Sequence, residues 1–261
     1  MFYSSDAQHL SVLQDFFLDG FEKNQRVLYI SDNLSLGHFI KKFDSSELRL
    51  SDRVTHGQFV FKTSKEAYFP SGRFDTNAMF DTLYSQVEIS KKLGYSALRA
   101  AGEMSWALGA VPGSEQLIDY ETRLCEFFEK TNTTALCQYD TRIFKSSKVL
   151  ASICVHPNCH TEFGLVRNPI YLDIETRLGA GENTTAHFFE EYILKKYSEN
   201  TLTRQDIEPL LEFIDNHKTN SMTAYADLVN HPKRQVLLRE IDFLDRMRER
   251  LEYRLQSGIN R

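Results

Sequence analysis

Along the first two thirds of the chain the apolar positions switch repeatedly between two periods. From residue 5 to 23, Leu10, Leu13, Phe17 and Phe21 recur at helical spacing behind Ser5 and Gln8, which stand as a capping box, so the spacing predicts an amphipathic helix. The run Arg26 to Ser31 (RVLYIS) is short, apolar and rich in Val, Tyr and Ile, and predicts a buried strand. Two weaker helical pieces over 34 to 54, carried by Leu36, Phe39, Ile40, Leu48 and Leu50, lead to a second strand at Gln58 to Lys62. A loop at Pro70-Ser71-Gly72 precedes a helix over Asp75 to Lys92, with Met79, Phe80, Leu83 and Val87 on one stripe and Gly94 as its stop. The stretch Gly94 to Leu108 predicts a third strand opening into a polar and aromatic loop. A helix over Glu115 to Lys130, a fourth strand at Thr133 to Tyr139, a short helical piece over Thr141 to Ser147 and a fifth strand at Val149 to Val155 follow, closed by His156-Pro157.

Alternation of strands with helices, with strands that are apolar almost throughout, predicts an α/β fold: a mainly parallel sheet with helices on both faces. After Pro169 the strands stop. Helical spacing near 185 to 197, 203 to 216, 220 to 229 and 233 to 256 predicts an all-helical C-terminal region, so the chain divides into an α/β domain over 1–175 and a helical module over 176–261. In the last helix Leu237, Ile241, Leu244, Leu251 and Leu255 alternate spacings of four and three around Arg248. A seam of under three heptads either packs on its own domain or makes a homodimer through residues 233–256.

Composition narrows the partners. The net charge of −5 gives no general attraction to nucleic acid. No apolar run approaches the ~20 residues of a membrane span. The opening Met-Phe-Tyr-Ser-Ser-Asp has no basic and apolar leader pattern, and the expectation is a cytoplasmic protein. In that compartment the four cysteines are expected as core residues, metal ligands or redox sensors rather than disulfides.

In open parallel sheets ligands bind beyond the carboxyl ends of the strands. There the third strand offers Arg99, Glu103 and Trp106: a bidentate anion binder, a base or hydrogen-bond acceptor, and a flat apolar cover, unless Arg99 and Glu103 simply pair with each other. The fourth strand adds Cys137, Gln138, Tyr139 and Asp140 at the same edge, with Asp140 alternatively capping the next helix. The segment Cys154-Val-His156-Pro-Asn-Cys159-His160 is the densest group of soft ligands. With Cys137 it makes a candidate redox or metal cluster, yet it lacks the paired spacings of a structural zinc site. No cofactor is expected for the core. The phosphate-cradling G-x4-G-K-[ST] loop, G-x-G-x-x-G and G-x-S-x-G are all missing, so no nucleotide cradle or serine nucleophile is predicted.

The segments FYSSD at 2–6, FF-L-DG-F-x-x-NQRV-LYI at 16–30, GRFD at 72–75, GYSALRAAGEMSWAL at 94–108, DYE at 119–121, ALCQYD at 135–140 and HP at 156–157 together resemble the MEDS domain, the methanogen and methylotroph sensory domain. The resemblance runs over most of residues 1 to about 172. It implies a sensory, non-enzymatic relative of the KaiC and RecA-like ATPases, with Tyr3 to Asp6 standing where the phosphate loop would precede the first helix. Hydrocarbon derivatives are the implied ligands, and a histidine kinase or transcription regulator is the implied partner. The residues that match the family pattern are Tyr3, Arg99, Glu103, Trp106, Cys137, Tyr139, Asp140, His156 and Pro157. Two other readings stay open: a redox- or metal-responsive sensor built on the Cys/His cluster, and a degenerate nucleotide-binding enzyme using Glu103 or Asp140 as a base.

Overall fold

The computed structural model describes residues 1–32, 34–144, 146–161, 164–168 and 171, with scattered helical positions between 211 and 256. The predicted helix near 185–197, and most of those near 203–216, 220–229 and 233–256, lie outside the described residues. Two compact units emerge: Met1–Asp140 with His160–Gly164, and Thr141–Cys159 with Leu165–Arg261.

The first unit is the predicted α/β sheet. Strands β1 (Phe2–Tyr3), β2 (Arg26–Ser31), β3 (Phe59–Thr63), β4 (Leu98–Glu103) and β5 (Thr133–Asp140) form a five-stranded sheet in the order β1-β5-β4-β2-β3. Every pairing is parallel. Between them run α1 (Asp6–Glu22), α2 (Leu36–Phe43), α3 (Leu50–Thr55), the short α4 (Ser64–Ala67), α5 (Thr76–Lys92) and α6 (Leu117–Lys130). All six residues of β2 and all six of β4 are buried, as central strands of a doubly covered sheet must be.

The local signals act largely as the sequence predicts. The Ser5 side chain accepts from the Gln8 backbone N–H at 3.2 Å, while the Gln8 side chain receives the Ser4 N–H at 3.0 Å instead of closing back on Ser5. Asp75 caps α5 through the Ala78 N–H at 2.9 Å, and Gly94, at φ +81, takes the left-handed turn that ends it. One face of the sheet carries α1, α2 and α3. Their Leu13, Phe17, Phe21, Phe39, Phe43 and Leu50 pack with Val27, Tyr29, Phe59 and Ala101. Phe17 is central, with ring centroids 5.6 Å from Tyr29, 6.2 Å from Phe39 and 5.4 Å from Phe59. On the other face α5 and α6 meet through Phe80, Tyr120 and Phe127.

Two expectations are corrected. Val149 to Val155 is not a strand: Ser146–Cys154 forms helix α7, and Thr141 to Phe144 is a turn rather than a helical piece. Val149, Ala151, Ser152, Ile153 and Cys154 are all buried. A run of buried helical residues looks the same in sequence as a core strand, because neither leaves a polar face to reveal its period. The fifth strand is instead β1, whose two residues pair with Tyr139 and Asp140. Two residues cannot display any periodicity.

In the second unit Asn168 finishes α7. Its side-chain amide donates to the carbonyls of Ile153 at 2.7 Å and His156 at 2.8 Å, and His156 Nδ1–H donates to the Ser152 carbonyl at 2.6 Å. Asn158–Thr161 (β6) and Gly164–Arg167 (β7) pair as a separate two-stranded sheet. Of the predicted seam, Leu244 and Leu251 are buried within the chain, and Arg248 bonds Asp215 at 2.5 Å and Glu252 at 2.8 Å. Among the described residues no helix is long and apolar enough to cross a membrane.

Phe17→Ala should destabilise the first unit by about 3–5 kcal/mol, because three aromatic neighbours lose their partner at once. Urea unfolding of the full chain followed by the fluorescence of Trp106, the sole tryptophan and a residue of this unit, reads it directly.

Candidate functional site

The strand order places a topological switch between β2 and β4. The chain leaves β2 toward α2 and α3 on one face, and leaves β4 toward α6 on the other, so the two exits diverge at the carboxyl edge of the sheet. Glu103 stands at this fork. Its carboxylate accepts from the Tyr29 hydroxyl at 2.6 Å, the Ser31 hydroxyl at 3.3 Å and the Asp32 backbone N–H at 2.7 Å. Ser105 closes the same seam by donating to Asp32 at 2.9 Å. Burial first, and then the neighbouring carboxylate of Glu103, pushes the Tyr29 phenol well above its ordinary value. It therefore stays a donor at any physiological pH.

Gln138 lies beside Glu103 in the β4–β5 register. It is 1% exposed, and its Oε1 accepts from His9 Nε2–H at 2.6 Å. Its Nε2 is buried with no hydrogen-bond partner among the described residues. His9 comes from the first turn of α1 and stacks on Tyr3, rings parallel at 4.2 Å. Desolvation is the main reason that its pKa falls below the ordinary 6.5, outweighing the opposing pull of Gln138 and Glu103. A buried amide donor, a neutral imidazole and a carboxylate already held by other donors thus converge at one edge. Such a group can bind a small molecule through directed hydrogen bonds, with little net charge of its own to offer beyond Glu103.

Residues 1–157 match the MEDS family, described as the MEthanogen/methylotroph, DcmR Sensory domain. The chain belongs to this family. The MEDS match covers the whole five-stranded sheet with its fork, and a sensory role follows from the family. No curated protein sequence matches the chain.

The MEDS residues singled out in the sequence are not all gathered at the fork. Tyr3, Glu103 and Gln138 are there, with Asp140 paired to Tyr3 across β1 and β5 and Tyr139 fully buried against Phe2 at 5.2 Å. Arg99 is at the other end of β4, four residues or about 13 Å from Glu103. It does not pair with Glu103. Instead it bonds Gln25 at 2.6 Å, the Phe16 carbonyl at 3.1 Å and the Asp19 carboxylate, clamping the end of α1 to the sheet. Gly20 makes that clamp possible, since a Cβ there would lie 2.6 Å from the arginine side chain. Trp106 is buried on the α5/α6 face, stacked on Tyr68 at 4.9 Å and packed on Phe74 at 4.6 Å. Cys137 points to that face as well.

His156, Cys154 and Cys159 belong to the second unit. Cys154 sits on a helix, not at a strand edge. Burial pushes the Cys159 thiol up to about 11, and burial followed by Glu121 raises that of Cys137 well above its usual range. Both thiols are held protonated. His160 lies on β6. His9, Tyr29, Ser31, Asp32 and Ser105 were absent from the sequence-based candidates. A faint signal existed for two of them: Tyr29 and Ser31 are polar-tipped residues two apart at the end of an apolar strand, hence on one face.

Two outcomes follow. Glu103→Leu strands three donors in the interior and should cost at least about 3 kcal/mol in urea unfolding. Because His9 is depressed below 6.5 in the fold, its contribution is complete above that pH and is lost as pH falls from 6.5 through its folded value. The fall in stability between pH 6.5 and 5 should therefore be shallower in His9→Phe than in the wild type.

Proposed function

We propose that this MEDS domain senses a small ligand bound at the carboxyl edge of its sheet, without catalysing a reaction on it. Gln138 Nε2 donates to an acceptor on the ligand, the stacked His9–Tyr3 pair forms one wall, and Asp140 flanks the entry. The observation that carries this reading is the Gln138 amide: a buried donor without a partner costs about 1–3 kcal/mol, a cost that a bound acceptor removes. Occupancy would be passed on through the helical C-terminal region to a signalling partner, a histidine kinase or a transcription regulator, in the cytoplasm.

The core is read as a KaiC/RecA-like sheet without its phosphate loop. What supports this is the β1–α1 connection, where Ser4 and Ser5 make a capped turn instead of a glycine-rich cradle, so ATP and GTP have no backbone nest to occupy. The redox variant is weakened by Cys137 and Cys159, since a thiol held protonated reacts slowly.

Native mass spectrometry of the full chain purified from its own host is the decisive measurement. The expected result is an adduct of one small molecule in the wild type that is lost in Gln138→Leu, together with a flat calorimetric titration with ATP. An adduct retained unchanged in Gln138→Leu, or a wild-type protein without any adduct, removes the proposal.

A further inference from the structure

A cavity lies away from the polar fork, between the sheet and helices α5 and α6. Its volume is ≈ 30 Å³, and Tyr68, Gly102, Met104, Tyr120, Leu124 and Cys137 are among the residues that line it. That is about two water-sized volumes, twice what one ordered water needs. The walls are mainly apolar, but Tyr68, Tyr120 and Thr133 carry hydroxyls, that of Thr133 already accepting from Thr131 at 3.0 Å. Tyr68 and Tyr120 are each 3% exposed, and neither hydroxyl has a hydrogen-bond partner among the described residues. The Tyr68 oxygen sits directly over Gly102, whose missing side chain leaves it room: a Cβ there would approach it to 2.2 Å. Burial holds both phenols well above their ordinary values, so each is a neutral donor.

Two orphaned donors in an apolar chamber of this size are an unusual combination. A close-packed interior normally fills such a space or pairs such groups. We infer that this cavity is a binding site for a neutral molecule of two or three heavy atoms, with an apolar body and one hydrogen-bond acceptor turned toward Tyr68 and Tyr120. The apolar body replaces water against Met104, Leu124 and the sheet, and the acceptor satisfies the hydroxyls. An ion is excluded by the apolar walls and the absence of an opposing charge among the lining residues. Trp106, stacked on Tyr68, is positioned to register the occupancy. The site is separate from the one proposed at Gln138 and stands without it.

Ethanol and ethane are the matched probes, alike in their carbon body and different in the acceptor. In methyl-resolved NMR of the full chain, ethanol should give saturable shifts at Met79, Met104 and Leu124. Tyr68→Phe and Tyr120→Phe keep the ring volume and remove the donor, and each should weaken ethanol about fivefold to tenfold while leaving ethane unchanged. Gln138→Leu should leave ethanol binding as in the wild type, which separates this site from the fork. Shifts that never saturate, or an ordered water at these methyls that ethanol does not displace, overturn the proposal. So does equal ethanol affinity in the wild type and both phenylalanine variants, and the wild-type titration is decisive even if a variant fails to fold.

Discussion

One buried carboxylate holds the carboxyl edge of this sheet together. Where the chain exits β2 to one face and β4 to the other, nothing in the backbone ladder joins the two departing loops. Glu103 does so by accepting from a phenol and a hydroxyl of β2 and from the first backbone N–H beyond it, with Ser105 and Asp32 closing a second link alongside. A carboxylate removed from water is tolerable only when its lone pairs are met, and here donors come from both sides of the fork. The same requirement explains why the residues around it are polar in an otherwise apolar layer.

The two faces of the sheet solve different problems. On the α1 side, aromatic rings from α1 and α2 close over Tyr29 and Ala101, and Arg99 anchors the far end of α1 in the space that Gly20 leaves. Polar contact at both ends of β4 and dense packing between them fix α1 in position, and α1 in turn carries His9 to Gln138. On the α5/α6 side the packing is aromatic but incomplete, leaving the chamber beneath Tyr68 and Tyr120. A sensory domain needs places where the ground state is less than fully satisfied, because only there can a ligand contribute differential free energy. This fold has one such place of polar character and one of apolar character, on opposite faces of adjacent strands.

The MEDS assignment and this geometry meet in a specific way. The β1–α1 turn is occupied by a serine cap and an aromatic–imidazole stack, and the chemistry of the edge is hydrogen bonding to a small target. The second unit shows a helix finished by the Asn168 amide and, at its described C-terminal positions, apolar residues buried within the chain.

Much of the scaffold could be read from residue order alone, since α1, β2, α5, β4, α6 and β5 each have a period, a cap or a stop that acts over a few neighbours. Gly94 and Asp75 needed no tertiary information to do their work. The site was only half legible. Arg99 and Glu103 are near in sequence and chemically apt partners, yet a strand carries them about 13 Å apart, and each found its partners on other elements. Val149 to Val155 misled because burial on every side erases the pattern that separates a helix from a strand, and β1 was too short to have one. What the sequence determined is therefore the local conformation of segments with an exposed face. Which side chains meet at the fork, which face Trp106 and Cys137 occupy, and where the interior stays unfilled were decided only by the register of parallel strands, because those pairings join residues up to 137 positions apart, as for Phe2 and Tyr139.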